Sequence, residues 1–341
     1  PRQAAKPIAE CGLEGATSVA TPGVKSSFHE HEDDKPLAAR LLTPLRGSAA
    51  RGDYLAADWP DAQFACKEVC RWMSSPSEQA WTALKRVGRF LSSVPRLVYT
   101  YPQQTVEGID VHTDTDWAGC ARTRKSTSGG CVLLGRHAIK HWSSTQSSVA
   151  LSSGEAEFAG VIRGSGQGLG YQALLRDFGV EAHLRAWTDS SAAIGICARQ
   201  GLGKLRHLDT HTLWIQQAVR TGRIDLRKVL GEENPADLLT KHSLSRQRLE
   251  KLVALHGCKY LDGRAASAPQ VRDGVPTKDT MASLGGGLIA TTANFVDTVS
   301  SERIAAHGDS TSSAVESPQV RPTMPHLELF GQALDKAYPP M

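Results

Sequence analysis

Between residues 106 and 116 the hydrophobic period of the chain changes, and this change constrains the fold more than any other feature. Ile109, Val111 and Thr113 alternate with Asp110, His112 and Asp114, a period of two that suits a half-buried strand. Ser128-Gly129-Gly130 precedes a second strand, Cys131–Leu134, and Gly135-Arg136-His137 turns into a third, Ala138–Ser143. Three antiparallel strands in a meander are therefore expected. A long helix from about Ser153 to Phe178 comes next, then a strand at Leu184–Thr188 and a helix at Ser190–Arg199 capped by Ser190 or Ser191. Leu208–Thr221 reads as a helix, Ile224–Leu230 as a fifth strand, and Pro235 opens a last short helix through Thr240. This order predicts an α/β unit with a five-stranded mixed sheet flanked by helices. The long helix contains Gly160, Gly164, Gly166, Gly168 and Gly170. Each interior glycine costs about 0.5–1 kcal/mol against alanine, so a bend or split is expected there.

Ahead of the sheet, residues 58–101 have helical character. Ser75-Pro76-Ser77-Glu78 is a helix start, with a capping serine, proline at the first position and a glutamate to close the box. Trp81, Leu84, Val87 and Leu91 then recur at helical spacing, and Pro95 ends the helix. Lys85, Arg86 and Arg89 decorate the rest of that helix, either as a solvated face or as a face that tracks a nucleic-acid backbone. Residues 1–45, with a His-acidic run from His29 to Asp34, read as a flexible leader, so 46–105 is a small helical segment and 106–245 the sheet-bearing domain. Residues 246–262 hold a C-terminal helix. From 263 to 341 the chain is rich in Ser, Thr, Ala, Gly and Pro, which predicts a disordered tail.

Composition narrows the class only a little. Hydrophobic residues make up 40% of the 341, enough for a core, and the net charge of +4 permits nucleic-acid binding without arguing for it. No apolar run reaches the length of a membrane span, and the N-terminus has no secretory pattern. Seven cysteines without a CxxC pair suit a reducing compartment; Cys66 and Cys70 read as one buried helix face. The chain opens on Pro1 and not on Met, as expected of a fragment or a processed product.

Four acidic residues stand out by placement. Asp114 lies in the first strand, Glu157 early on the long helix, Asp189 at the end of the fourth strand and Asp237 at the start of the last short helix. Carboxylates at such positions can converge at one edge of a sheet. Packed together they repel, and they stay ionised at neutral pH only beside cations. Magnesium prefers carboxylate oxygen and retains waters. Two such ions about 3.5–4 Å apart can activate a water and stabilise the leaving oxygen of a phosphodiester. Taken singly each acid also has a plainer reading: Asp189 as a helix cap, Asp237 as a charge favouring a helix N-terminus.

The surrounding text is more particular. Thr113-Asp114, Glu157-Phe158-Ala159, Thr188-Asp189-Ser190 and the stretch Asn234–Leu238 resemble, in order, the four acidic motifs of the ribonuclease H family. Asp114-Thr-Asp-Trp-Ala-Gly, Arg124-Lys-Ser-Thr-Ser-Gly, Val149-Ala-Leu-Ser-Ser-Gly-Glu-Ala-Glu-Phe, Arg206-His-Leu-Asp and Ala236-Asp-Leu-Leu-Thr-Lys resemble the subgroup found in Pol polyproteins of copia-type LTR retrotransposons. The resemblance implies a ribonuclease H-like fold and metal-dependent cleavage of the RNA strand of an RNA–DNA hybrid. It implies two Mg²⁺ ions, with Mn²⁺ as an alternative, held by Asp114, Glu157, Asp189 and Asp237. Asp116 shares a strand face with Asp114 and Glu155 precedes Glu157 by two, but the family pattern puts the ligands at Asp114 and Glu157. Many cellular members carry a histidine in the loop ahead of the last aspartate; here Val229-Leu-Gly-Glu-Glu-Asn has none, which removes a proton shuttle.

Arg122, Arg124 and Lys125 after the first strand, and Lys204, Arg206 and His207 before the helix at 208, are the candidates for phosphate contacts that position a duplex without reading its sequence. His207 and His211 lie four apart like a zinc pair, but no further ligand lies nearby in sequence. The stretch from Arg51 to Tyr101 resembles the region between the polymerase palm and ribonuclease H in the same polyproteins. The palm's paired aspartates are absent, so no DNA synthesis is expected. The partners implied are the hybrid and the rest of the polyprotein, with no membrane, in the cytoplasm, a virus-like particle or the nucleus. The other reading is a decayed or host-adopted fragment that binds nucleic acid without cutting it, to which the glycine-rich helix lends weight.

Overall fold

In the computed structural model, residues 2–25, 34–93, 96–203, 205–242 and 244–263 are described, and all lie in one compact unit, Pro1–Gln270. The tail from 264, the run from His29 to Asp33 and Pro95 lie outside the described residues. Four helices come first: α1 (Arg2–Glu10), α2 (Ala39–Ala56), α3 (Pro60–Cys70) and α4 (Glu78–Ser93). A short strand β1 (Leu97–Tyr99) leads to β2 (Gly108–Asp116), β3 (Thr127–Leu134) and β4 (His137–Thr145). Then come α5 (Ser153–Asp177), β5 (His183–Thr188), α6 (Ser191–Ala198), a 3₁₀ turn (Thr210–Leu213) running into α7 (Trp214–Arg220), and β6 (Asp225–Lys228). Two 3₁₀ turns, Gly231–Glu233 and Pro235–Leu239, precede α8 (Arg246–Leu255) and β7 (Cys258–Tyr260). Among the described residues no helix is long and apolar enough to cross a membrane.

The α/β architecture with a mixed five-stranded sheet is present, in the order β4-β3-β2-β5-β6. The meander β2-β3-β4 is antiparallel, whereas β5 runs parallel to β2 and β6 parallel to β5. Parallel neighbours require a crossover, and α5 supplies the first, packing its buried Phe158 and Val161 on Ile109, Val111 and Leu184 of the sheet.

The expected split of α5 does not occur, the helix being continuous from Ser153 to Asp177, and three of its glycines are packing positions. A Cβ at Gly164 would stand 2.4 Å from the Thr113 methyl, one at Gly168 2.5 Å from Leu184 Cδ1, and one at Gly160 2.8 Å from Thr115 Oγ1. Spaced four apart, they form a stripe that lets α5 lie close on β2 and β5. Gly166 and Gly170 face open space. A second departure concerns Gly129 and Gly130, which lie inside β3 and not ahead of it. A side chain at Gly129 would strike Thr240 and Leu239, and one at Gly130 would strike the Trp142 ring, so both faces of the strand admit a close neighbour.

The N-terminal residues are not the flexible leader that their composition suggests. Glu10 of α1 pairs with Arg51 at 2.6 Å and accepts from Ser48 at 2.5 Å, and Cys11, Leu13, Leu37 and Leu45 are buried among α2, α3 and α4. Nor does the basic face of α4 stand free: Arg86 donates to Thr21 Oγ1 at 3.0 Å, and Lys85 lies 5.6 Å from the Trp81 ring centre. The helical segment also shares a core with the sheet. Phe90 of α4 is fully buried with Cys131 and Leu133 of β3, Leu238, Leu239, and Leu249, Leu252 and Val253 of α8. β1 and β7 pair antiparallel, Leu97 opposite Tyr260, and Tyr260 donates to buried Asp61 of α3 at 2.6 Å.

The glycine stripe yields a test. Gly164→Ala should destabilise the fold by about 1–3 kcal/mol through overpacking, whereas Gly166→Ala, facing solvent, should stabilise it by about 0.5–1 kcal/mol through helix propensity. Urea midpoints moving in opposite directions are expected; a shared direction would refute the close packing of α5.

Candidate metal centre

Asp114 lies near the end of β2, Asp189 directly follows β5, and Glu157 is in the second turn of α5. β2 and β5 are parallel neighbours, so both aspartates emerge at the same edge, beside the start of the crossover helix. Ser152 caps α5 by accepting from the Glu155 amide at 3.2 Å, which sets the helix entry and brings Glu157 over the aspartates. One ligand oxygen from each of Asp114, Glu157 and Asp189 lies within 4.8 Å of the other two. The plainer reading of Asp189 as a cap does not hold, because Ser190 caps α6 by accepting from the Ala193 amide at 3.2 Å.

Asp116 and Glu155 are not in this group. Asp116 faces Lys25, Glu68 and Lys67. Glu155 accepts from the Leu151 amide and lies 3.0 Å from His207 Nε2, binding the His207 loop to the start of α5. Asp237 is drawn instead into ion pairs with Lys241 at 2.7 Å and Arg248 at 3.1 Å. Its 3₁₀ turn is fixed to β2 by buried Asn234, which donates to the Thr113 carbonyl at 2.9 Å and accepts from the Ala236 amide at 3.2 Å. Thr240, three residues on, donates to Asp114 Oδ2. Lys241 sits one residue further, its charge felt by Asp114 and Asp189 as well as by Asp237.

Burial chiefly, then the Asp237 and Asp189 charges against the nearby Lys241, pushes Asp114 up to about 6. Burial first and then the charges of Asp114 and Asp189 push Glu157 up to about 9. Glu157 Oε2 has no hydrogen-bond donor among the described residues. A compact set of hard oxygen ligands, electrostatically frustrated and with one oxygen unpartnered, fits a divalent cation.

The basic candidates divide. Arg122 is docked on the helical segment, its guanidinium 4.7 Å from the Trp72 ring and donating to the Arg71 carbonyl at 3.4 Å. Arg124 is exposed on a left-handed backbone at φ 55°, Lys125 is partly exposed, and Arg206 and His207 are exposed. Lys204 lies outside the described residues. His211 is exposed and lies 3.9 Å from Asp209. Thr240, Lys241 and Arg248 were not singled out from the sequence, although the Asp237-to-Lys241 spacing of four signals an ion pair.

This geometry belongs to a chain whose relatives include Pol polyproteins of transposons. It is 30% identical over 202 residues to the retrovirus-related Pol polyprotein from transposon RE2 of Arabidopsis thaliana, covering 58% of this chain and 14% of that protein. It is 29% identical over 218 residues to the Pol polyprotein from transposon RE1 of the same plant, covering 63% of this chain and 15% of the relative. With the Pol polyprotein from transposon TNT 1-94 of Nicotiana tabacum it shares 28% over 204 residues, 58% of this chain and 15% of the relative. These relatives are copia-type retrovirus-related Pol polyproteins of transposons, which supports a fragment of such a polyprotein, and the chain spans about 15% of their length. No family model and no solved structure matches it.

The raised acids predict a pH dependence. A folded-state value of about 9 for Glu157 means that the folded chain holds a proton that the unfolded chain releases above about pH 4. Its stabilising effect is complete below that pH and is lost as pH rises through about 9. Buried His112, His141 and His242, lowered to about 4, act in the opposite direction below the ordinary histidine range. The buried cysteines, whose thiols burial pushes up, add a fall of the same sign as the unfolded thiols begin to ionise. The clean window is therefore about pH 7 to 8. In EDTA the Tm should fall across this window, and Glu157→Gln should flatten the slope; an unchanged slope in the variant would place the titration elsewhere.

Proposed function

We propose that the chain is a metal-dependent endonuclease of ribonuclease H-like fold that hydrolyses the RNA strand of RNA–DNA hybrids as part of a retrotransposon Pol polyprotein. The observation that carries this reading is the convergence of Asp114, Glu157 and Asp189 at the edge where two parallel strands end. Three buried or half-buried carboxylates so close together serve no packing purpose and need a cation. A Mg²⁺ ion held there would supply Lewis-acid stabilisation of phosphodiester oxygens and a nucleophilic water at neutral pH. The chain's own groups orient that site: Thr240 holds Asp114, Ser152 sets the helix bearing Glu157, and Ser190 starts α6 directly after Asp189. Arg124, Lys125, Arg206 and His207 are side chains on surface loops suited to phosphate contacts that fix a duplex without reading its bases. The glycines of α5, which would otherwise argue for a decayed element, are accounted for by packing at three of five positions.

The test is cleavage of an end-labelled RNA–DNA hybrid by the full chain with Mg²⁺ and with EDTA. RNA-strand products in Mg²⁺ only are expected. Asp189→Asn should keep the far-UV spectrum and lose about 10²-fold or more in rate, the several kcal/mol expected for a lost metal ligand. Wild-type turnover by a folded Asp189→Asn protein, or equal cleavage in EDTA, would overturn the proposal.

A further inference from the structure

We propose that Trp117 and Leu151 form an apolar ridge that enters the minor groove of the bound RNA–DNA hybrid beside the carboxylates. The inference rests on the hybrid-cleaving reading above and adds two side chains that seat the duplex by contact and not by charge.

Large apolar side chains left in solvent beside a polar site call for a partner. Trp117 is 48% exposed, Val149 47% and Leu151 70%. Trp117 directly follows β2, the strand that bears Asp114, and Leu151 lies just ahead of α5, the helix that bears Glu157. Both residues therefore stand at the sheet edge where the carboxylates gather.

Both are also held in place. The Trp117 indole N–H donates to the Ala150 carbonyl at 3.1 Å, which joins the loop after β2 to the loop before α5. The Leu151 amide donates to buried Glu155 at 3.0 Å. The Trp117 loop is braced from within and from outside. The Ala118 amide donates to Ser126 Oγ at 3.1 Å, the Arg124 amide to the Cys120 carbonyl at 2.8 Å, and Arg71, just after α3, to Thr123 Oγ1 at 3.3 Å. Ala118 takes a left-handed backbone at φ 52°, a strained conformation for a residue with a side chain. The ridge is thus formed before any partner arrives, which lowers the cost of binding.

Charge selects the partner. The Trp117 loop carries exposed Arg124 and partly exposed Lys125. At the other end, the Glu155 carboxylate that holds the Leu151 amide also lies 3.0 Å from His207 Nε2, and exposed Arg206 precedes that histidine. An apolar ridge with basic side chains linked to both of its ends matches a groove with a phosphate strand on each wall. The major groove of an A-form duplex is too deep and narrow for side chains, whereas the minor groove is wide, shallow and lined by sugars and base edges. The ridge therefore fits the minor groove. Its contribution comes from apolar surface removed from water and involves no counterion release.

The experiment measures binding of the full-length chain to a fluorescein-labelled RNA–DNA hybrid in EDTA, so that no strand is cut, across a series of KCl concentrations. Trp117→Ala and Leu151→Asn should each raise Kd about 10-fold, the loss expected for a buried apolar side chain. The slope of log Kd against log salt should stay unchanged in both, whereas Arg124→Ala should reduce it by about 1. Trp117→Phe, which keeps an apolar ring and loses the bond to Ala150, should retain most of the affinity. A hybrid whose guanines are ethylated on the exocyclic amine has a filled minor groove. It should bind the wild type more weakly and make no further difference to Trp117→Ala. Four results would each overturn the inference and leave the hybrid-binding reading standing: wild-type Kd in folded Trp117→Ala and Leu151→Asn, a reduced salt slope in them, equal losses in Trp117→Phe and Trp117→Ala, or equal effects of the ethylated hybrid on wild type and Trp117→Ala. Failure of the wild type to bind the hybrid at all would overturn that reading and this inference with it.

Discussion

Gathering carboxylates at one sheet edge is electrostatically costly, and much of the local structure is organised around offsetting that cost. Asp114, Glu157 and Asp189 come within reach of one another because β2 and β5 run parallel and α5 starts above their ends. Left alone, such a cluster takes up protons, as the raised values of Asp114 and Glu157 record. The chain answers with the turn at Pro235–Leu239 and the residues that follow it. Thr240 donates to Asp114, and Lys241 and Arg248 flank Asp237. Asn234 and Gly129 are the structural conditions for that answer, one fastening the turn to β2 and the other making room for it.

The same turn explains why the helical segment and the sheet are inseparable. Leu238 and Leu239 face away from the carboxylates into a core that also contains Phe90 of α4 and Leu249, Leu252 and Val253 of α8. The position of Asp237 therefore depends on packing from both ends of the described chain. The pairing of β1 with β7, and the buried Asp61–Tyr260 contact, close that core. The helical segment is thus part of the scaffold behind the site, and Arg86 of α4 and Arg122 after β2 are committed to the chain's own residues.

The five strands, the long helix and the four acids were legible in the sequence because each has a local signature: a period of two, a capping serine, an acid at a strand end. Local signals also placed the turn at Pro235. They misread the leader, because Cys11, Leu13 and Leu37 lie scattered among polar residues and become a core only when α2–α4 assemble around them. They misread the glycines of α5 for a related reason. Intrinsic propensity penalises a glycine in any helix, whereas Gly160, Gly164 and Gly168 are required by the closeness of a sheet that the sequence does not display.

By itself, then, the sequence determined the alternation that makes the strands, the long helix between them, and the placing of acids at the ends of those elements. These follow from interactions within a few residues. Only the tertiary structure decided which acids meet. Asp114 and Asp116 share a strand face, yet one joins the cluster and the other turns to Lys25 and Lys67. Asp237 shares the motif but is held by Lys241 and Arg248. Electrostatic grouping depends on distances of a few ångströms between segments tens of residues apart in sequence, and packing of the whole core sets those distances.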